Sequence, residues 1–110
     1  MTKEYIPDKK DLMYLDFDPQ SGIEIKKRRP ALVLSNQDYS KKTGLVAVSP
    51  ITHTRKNKIT SIKVGGKQID GYVNALQFYT FDFRARDAQY IEKASQQVYF
   101  KTMNVIKQIF

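Results

Sequence analysis

The apolar residues between positions 11 and 83 come in short runs, each closed by turn-forming residues, and this spacing constrains the fold more than any other feature. "DLMYLDF" (11–17) runs into "DPQSG"; "PALVLS" (30–35) precedes the turn "YSKKTG"; "GLVAVSPI" (44–51) alternates in polarity; "TSIKV" (60–64) stops at "GG"; and "GYVNALQFYTFDF" (71–83) supplies one or two further segments rich in aromatics. Short runs of β-branched and aromatic residues predict strands, and five or six so closely spaced predict a small, mainly β barrel or sandwich. No repeat, low-complexity tract or Pro/Gly/Ser linker interrupts them, so residues 1–110 read as a single domain.

The period changes towards the C-terminus. Ile91, Ala94, Val98, Thr102, Val105 and Ile109 recur at three- and four-residue steps, which places them on one helical face, with Asp87 as an N-cap. A terminal amphipathic helix covering the sheet is expected.

Cysteine is absent, which excludes disulfides, thiolate metal sites and cysteine nucleophiles. The N-terminal "MTKEYIPDKKDLMYLDF" lacks the apolar core of a signal peptide, and no window approaches the roughly 18 apolar residues of a membrane span. A cytoplasmic protein is expected. The 19 Lys and Arg against 11 Asp and Glu leave a net charge of +8, which favours a polyanionic partner, either nucleic acid or an acidic protein segment.

Three stretches carry chemistry. In "GIEIKKRRPALVLS" (22–35), proline lacks a backbone N–H and belongs at a strand entrance, which puts Lys26, Lys27, Arg28 and Arg29 in the preceding loop. A charge run is most often a solvated face, yet an arginine anchored where a loop meets a strand can engage a phosphate through two parallel hydrogen bonds, and Arg29 is the best anchored. Glu24 is either an ordinary loop carboxylate or, ionised among cations, an acceptor for a hydroxyl proton. In "SPITHTRKNK" (49–58), Thr52 and Thr54 supply hydroxyls, His53 is the lone histidine, and Arg55, Lys56 and Lys58 add charge. In "QFYTFDFRAR" (77–86), alternation sets Phe78, Thr80 and Asp82 on one face and Tyr79, Phe81 and Phe83 on the other. One aromatic set is expected in the core, and exposed aromatics could stack bases.

These stretches together resemble the MazF/PemK-type toxins, sequence-selective endoribonucleases of bacterial toxin–antitoxin systems. The likeness runs from "YIPDKKDLMYLDFDPQSGIE" through "RRPALVLS" and "YSKKTGLVAVSPIT" to "RAR" and the terminal helix, and its most specific element is "G-x-E" followed by "RPA-x-VLS". The resemblance implies an SH3-like (CcdB/PemK-type) β-barrel with a C-terminal amphipathic helix and a symmetric homodimer. It also implies metal-independent cleavage of single-stranded RNA without a cofactor, and inhibition by an acidic, MazE-like antitoxin. Carried over by position, it assigns catalysis to Glu24, Arg29 and Thr52. Lys26, Lys27, Arg28, His53, Arg55 and Lys56 would contact RNA, supported by Gln77, Thr80, Arg84 and Arg86. Lys27 stands where the family often has glycine and Leu76 where it often has aspartate, so loop geometry and target sequence are this chain's own. Two other classes stay open: a non-catalytic basic binding module, and a CcdB-like gyrase poison on the same fold.

Overall fold

The computed structural model describes residues 4–17 and 28–110. Seven strands form one sheet: β1 (Asp11–Asp16), β2 (Arg28–Val33), β3 (Leu45–Thr52), β4 (Ser61–Lys63), β5 (Tyr72–Asn74), β6 (Tyr79–Asp82) and β7 (Gln89–Lys93). Two helices complete the described residues, α1 (Gln37–Thr43) between β2 and β3, and α2 (Gln96–Ile109) at the end. The main path is β4-β5-β3-β2-β1-β7, and β6 adds to the first half of β3; all pairings are antiparallel, and the sheet curls without closing.

β3 is the hub. On one edge Val48 to Pro50 pair with β2; on the other, Leu45 to Val48 pair with β6 and Ile51 and Thr52 with β5, so the partner changes from β6 to β5 at Ser49 and Pro50. The two strand prolines fit this handover. The Leu34 amide donates to the Ala47 carbonyl at 2.8 Å. Because amides alternate sides along a strand, position 30 faces β3 beyond the last β2–β3 pair, Ala31 with Pro50, where no donor is needed.

The structure therefore corrects the position expected for Pro30. β2 begins at Arg28, so Arg28 and Arg29 are strand residues rather than loop residues, held in register by Asp16 and Leu15 of β1. Two further local expectations change. "YSKKTG" is mostly helix: the Asn36 side chain caps α1 by accepting from the Tyr39 amide at 2.8 Å, and Gly44 ends it at φ 74°, a conformation that costs glycine little. Asp87 does not cap the last helix. Residues 89–93 pair with β1 as β7, and the cap is Ser95, whose side chain accepts from the Val98 amide at 3.2 Å.

Each sheet face has its own core. On one side Leu12, Leu32, Ile51, Val73 and neighbours pack against Ala94, Val98 and Ile106 around α2. On the other, Met13, Leu15, Ala31, Val33, Val46, Val48 and Phe83 form a cluster edged by Phe17 and Phe81. Phe83 is buried whereas Tyr79, which alternation places on the same face, is exposed, so that aromatic set runs from the core to the surface instead of lying wholly within it.

Candidate active site

Arg29 and Thr52 are brought to one place by the strand register. Ala31 of β2 lies opposite Pro50 of β3, and two residues further along each antiparallel strand stand Arg29 and Thr52, on the same face by alternation. That face is the one carrying Leu15, Ala31 and Val48. Arg29 is exposed and has no hydrogen bond or ion pair with any described residue. Thr52 is half-buried, and its hydroxyl donates to the Thr54 carbonyl at 2.9 Å. Glu24, Lys26 and Lys27 lie outside the described residues.

The neighbouring arginines are committed within the fold. Arg28 Nη1 donates to Asp16 Oδ1 at 3.0 Å and reaches Asp87 Oδ2 at 3.5 Å, while Nη2 donates to the Asp87 carbonyl at 2.9 Å. Arg86 lies over the Phe81 ring, 4.2 Å from its centre, and donates to the carbonyls of Asp16 and Phe17. Arg84 grips Glu4 with two bonds of 2.7 and 2.8 Å, and that guanidinium holds the Glu4 carboxyl below the usual carboxylate range. These three bind segments of the chain together. His53, Arg55 and Lys56 are exposed on the loop after β3, Thr80 is exposed on β6, and Gln77 is exposed between β5 and β6, accepting from Asn74 Nδ2 at 3.3 Å.

Sequence reasoning named no aromatic as a site residue, yet an aromatic shelf adjoins the Arg29 face. Tyr79 and Phe81 stack with ring centres 5.5 Å apart, and Phe17 packs edge-on against both. With Tyr79 exposed, the shelf offers a surface on which an unpaired base can lie. The alternation of residues 77–86 carried the signal. A cleft on the opposite face went unread. Its volume is about 530 Å³, and it is lined by Tyr14, His53, Lys63, Gln68, Asp70 and Tyr72 among others. Among the described residues, no group of three His, Asp or Glu side chains could hold a metal ion.

Residues 8–110 match the family described as PemK-like, MazF-like toxin of type II toxin-antitoxin system. Among curated proteins, the Endoribonuclease toxin MazF of Escherichia coli K12 is 39% identical over 88 residues, covering 80% of this chain and 79% of that one. Among solved structures, MazF from Deinococcus radiodurans superimposes with a TM-score of 0.86 at 32% identity, over 96% of this chain and 97% of its own. The MazE-MazF structure from the same organism gives a TM-score of 0.88 at 32% identity, over 96% of both chains.

Proposed function

The chain belongs to the family of PemK-like, MazF-like toxins of type II toxin–antitoxin systems, and from that premise we propose that it is an endoribonuclease that cuts single-stranded RNA. The observation that supports this is that Arg29, which has no partner among the described residues, and Thr52 stand on one face of two adjacent strand ends. The ribose 2′-OH attacks the adjacent phosphate in line. Arg29 stabilises charge on the non-bridging oxygens, Thr52 donates a hydrogen bond to them, and Glu24 assists proton removal. The substrate holds a nucleophile beside its own phosphate, so the protein need only orient and stabilise. The P–O5′ bond breaks, the leaving oxygen takes up a proton, and the products are a 2′,3′-cyclic phosphate and a 5′-hydroxyl. Because Arg29 supplies the positive charge, the reaction runs without a metal or other cofactor.

The remaining parts of the reading follow from charge and surface. Carboxylates of an acidic antitoxin compete with RNA phosphates for Arg29 and the exposed cations after β3, a partnership supported by the MazE-MazF assembly of the similar Deinococcus protein. Two copies form the working unit. No helix among the described residues is long and apolar enough to cross a membrane, and we assign the toxin to the cytoplasm, where its RNA substrate is. The endoribonuclease relative favours this reading over a gyrase poison or a non-catalytic binder.

The test is an oligonucleotide with a single 2′-deoxynucleotide on the 5′ side of the cut. The expected result is no cleavage of that oligonucleotide, with its all-ribose counterpart cut in EDTA. Efficient cleavage of the deoxy substrate would make water the nucleophile, and activity abolished by EDTA and restored by magnesium would redirect the search to a metal nuclease.

A further inference from the structure

Thr52 stands where β3 has lost most of its support. The pairing with β2 ends at Ala31 and Pro50 and that with β6 ends at Val48, so among the described residues β5 alone holds the last two residues of β3, with Val73 opposite Ile51 and Tyr72 opposite Thr52. β5 is three residues long, and its other neighbour, β4, is equally short. The backbone beneath a candidate catalytic hydroxyl is therefore placed by this small hairpin.

The loop 66–71, which turns the chain from β4 into β5, touches Thr52 directly. The Gly66 amide donates to the Ile69 carbonyl at 3.0 Å and the Val64 amide to the Gly71 carbonyl at 2.9 Å, so the loop is a tight turn on the end of the hairpin, and the Ile69 side chain is buried in the core around α2. At the exit Gly71 has φ 128°, and a Cβ there would stand 2.5 Å from the Thr52 carbonyl oxygen. Only glycine lets the loop press against the backbone of Thr52. A shift of the turn is thus passed on twice, by contact at Gly71 and by strand pairing at Tyr72.

What orients the turn comes from the far end of the sheet. β4 and β7 are the two ends of the strand order, and no strand pairing joins them among the described residues. The Glu92 side chain of β7 crosses that seam and accepts from the amides of Lys67, Gln68 and Ile69 at 3.3, 2.8 and 2.9 Å. Burial of Ile69 is non-directional, whereas three N–H groups converging on one carboxylate fix an orientation. We propose that Glu92 is a positioning residue for RNA cleavage: by tying β7 to the turn 66–71 it sets the β4–β5 hairpin and, through Gly71 and Tyr72, the place of Thr52. This assignment rests on the endoribonuclease reading above and adds to it a residue that touches neither the substrate nor Thr52.

The experiment is a double-mutant cycle on RNA cleavage by the full-length protein, with wild type, Glu92→Gln, Thr52→Ala and the double variant each assayed well below its melting temperature. Glutamine keeps the shape of Glu92 but puts an NH2 group, a donor only, where one of the two accepting oxygens was. Glu92→Gln should lower kcat by about tenfold with KM unchanged, short of the roughly hundredfold that a displacement of about 1 Å costs. Once Thr52 is alanine the same change should cost less than about twofold, because a residue that acts through Thr52 has nothing left to position. Gly71→Ala, which strains the same contact from the other side, should show the same dependence on Thr52. Equal losses in both backgrounds would show that Glu92 acts on the fold at large, and a Glu92→Gln enzyme as fast as wild type would show that the turn needs no carboxylate; either overturns the assignment and leaves the endoribonuclease reading standing. A wild type that cuts no RNA would overturn that reading and this assignment with it.

Discussion

Arg28 and Arg29 are adjacent in sequence, yet strand alternation sends them to opposite faces with different tasks. Arg28 serves Asp16, whose side chain is only 10% exposed, so removing the arginine leaves a nearly buried carboxylate short of its partner. Arg28→Ala should cost roughly 1–3 kcal/mol of stability, the usual penalty for orphaning a charge-assisted hydrogen bond. Arg29→Ala and Thr52→Ala should instead melt like the wild type and lose on the order of a hundredfold in cleavage rate, the effect of deleting one oxyanion-type donor. Thermal melts beside RNA cleavage assays separate the two classes. A rate loss confined to Arg28→Ala, with Arg29→Ala fully active, would reverse the assignment. The sequence shows four cations in a row without saying which is tied to the fold. That division depends on the register of β1 against β2, which sets Asp16 opposite Arg28 and Leu15 opposite Arg29.

Elements were legible where their local signals agreed and obscure where two signals competed. The runs at 11–17 and 44–51 became β1 and β3, whose apolar residues pair across the sheet. Residues 89–93 lost their apparent helical period to strand pairing, since Met13 and Tyr14 of β1 offer Tyr90 and Gln89 an antiparallel partner. Asn36 and Gly44, a cap and a stop eight positions apart, were the signs of α1 within what read as a turn. β7 also supplies Glu92, whose carboxyl is held below the usual carboxylate range by the amides of Gln68 and Ile69 and, after them, Lys67. A carboxylate with a depressed folded-state pKa contributes stability that is present above its unfolded value, about 4.3, and is lost as pH falls through the folded one. The wild type should therefore melt above Glu92→Gln at pH 7, with the gap closing in acid, as pH falls below the unfolded value of about 4.3. An equal gap at both pH values would mean that the charge on Glu92 contributes nothing to holding the loop 66–71.

At the scale of the molecule, charge and apolar surface make opposite demands. The excess of +8, plain in the sequence, draws RNA and acidic partners but sets one copy against another. The apolar surface that favours self-association emerges only when the sheet curls: Ile59, Leu76 and Phe110 are left 79%, 54% and 89% exposed, and the Phe78 and Phe110 rings meet at 5.9 Å beside the end of α2. Exposed apolar groups of this size are usually covered by a partner, and for a symmetric assembly the partner is a second copy. The two forces respond to salt in opposite directions, because screening relieves like-charge repulsion while it weakens attraction to phosphates. Light scattering at micromolar protein should return a dimer that persists or tightens as salt is raised from about 50 mM to 500 mM, while affinity for an uncleavable RNA falls steeply over the same range. A monomer with full activity, or a dimer that salt dissolves, would show that apolar burial does not hold two copies together.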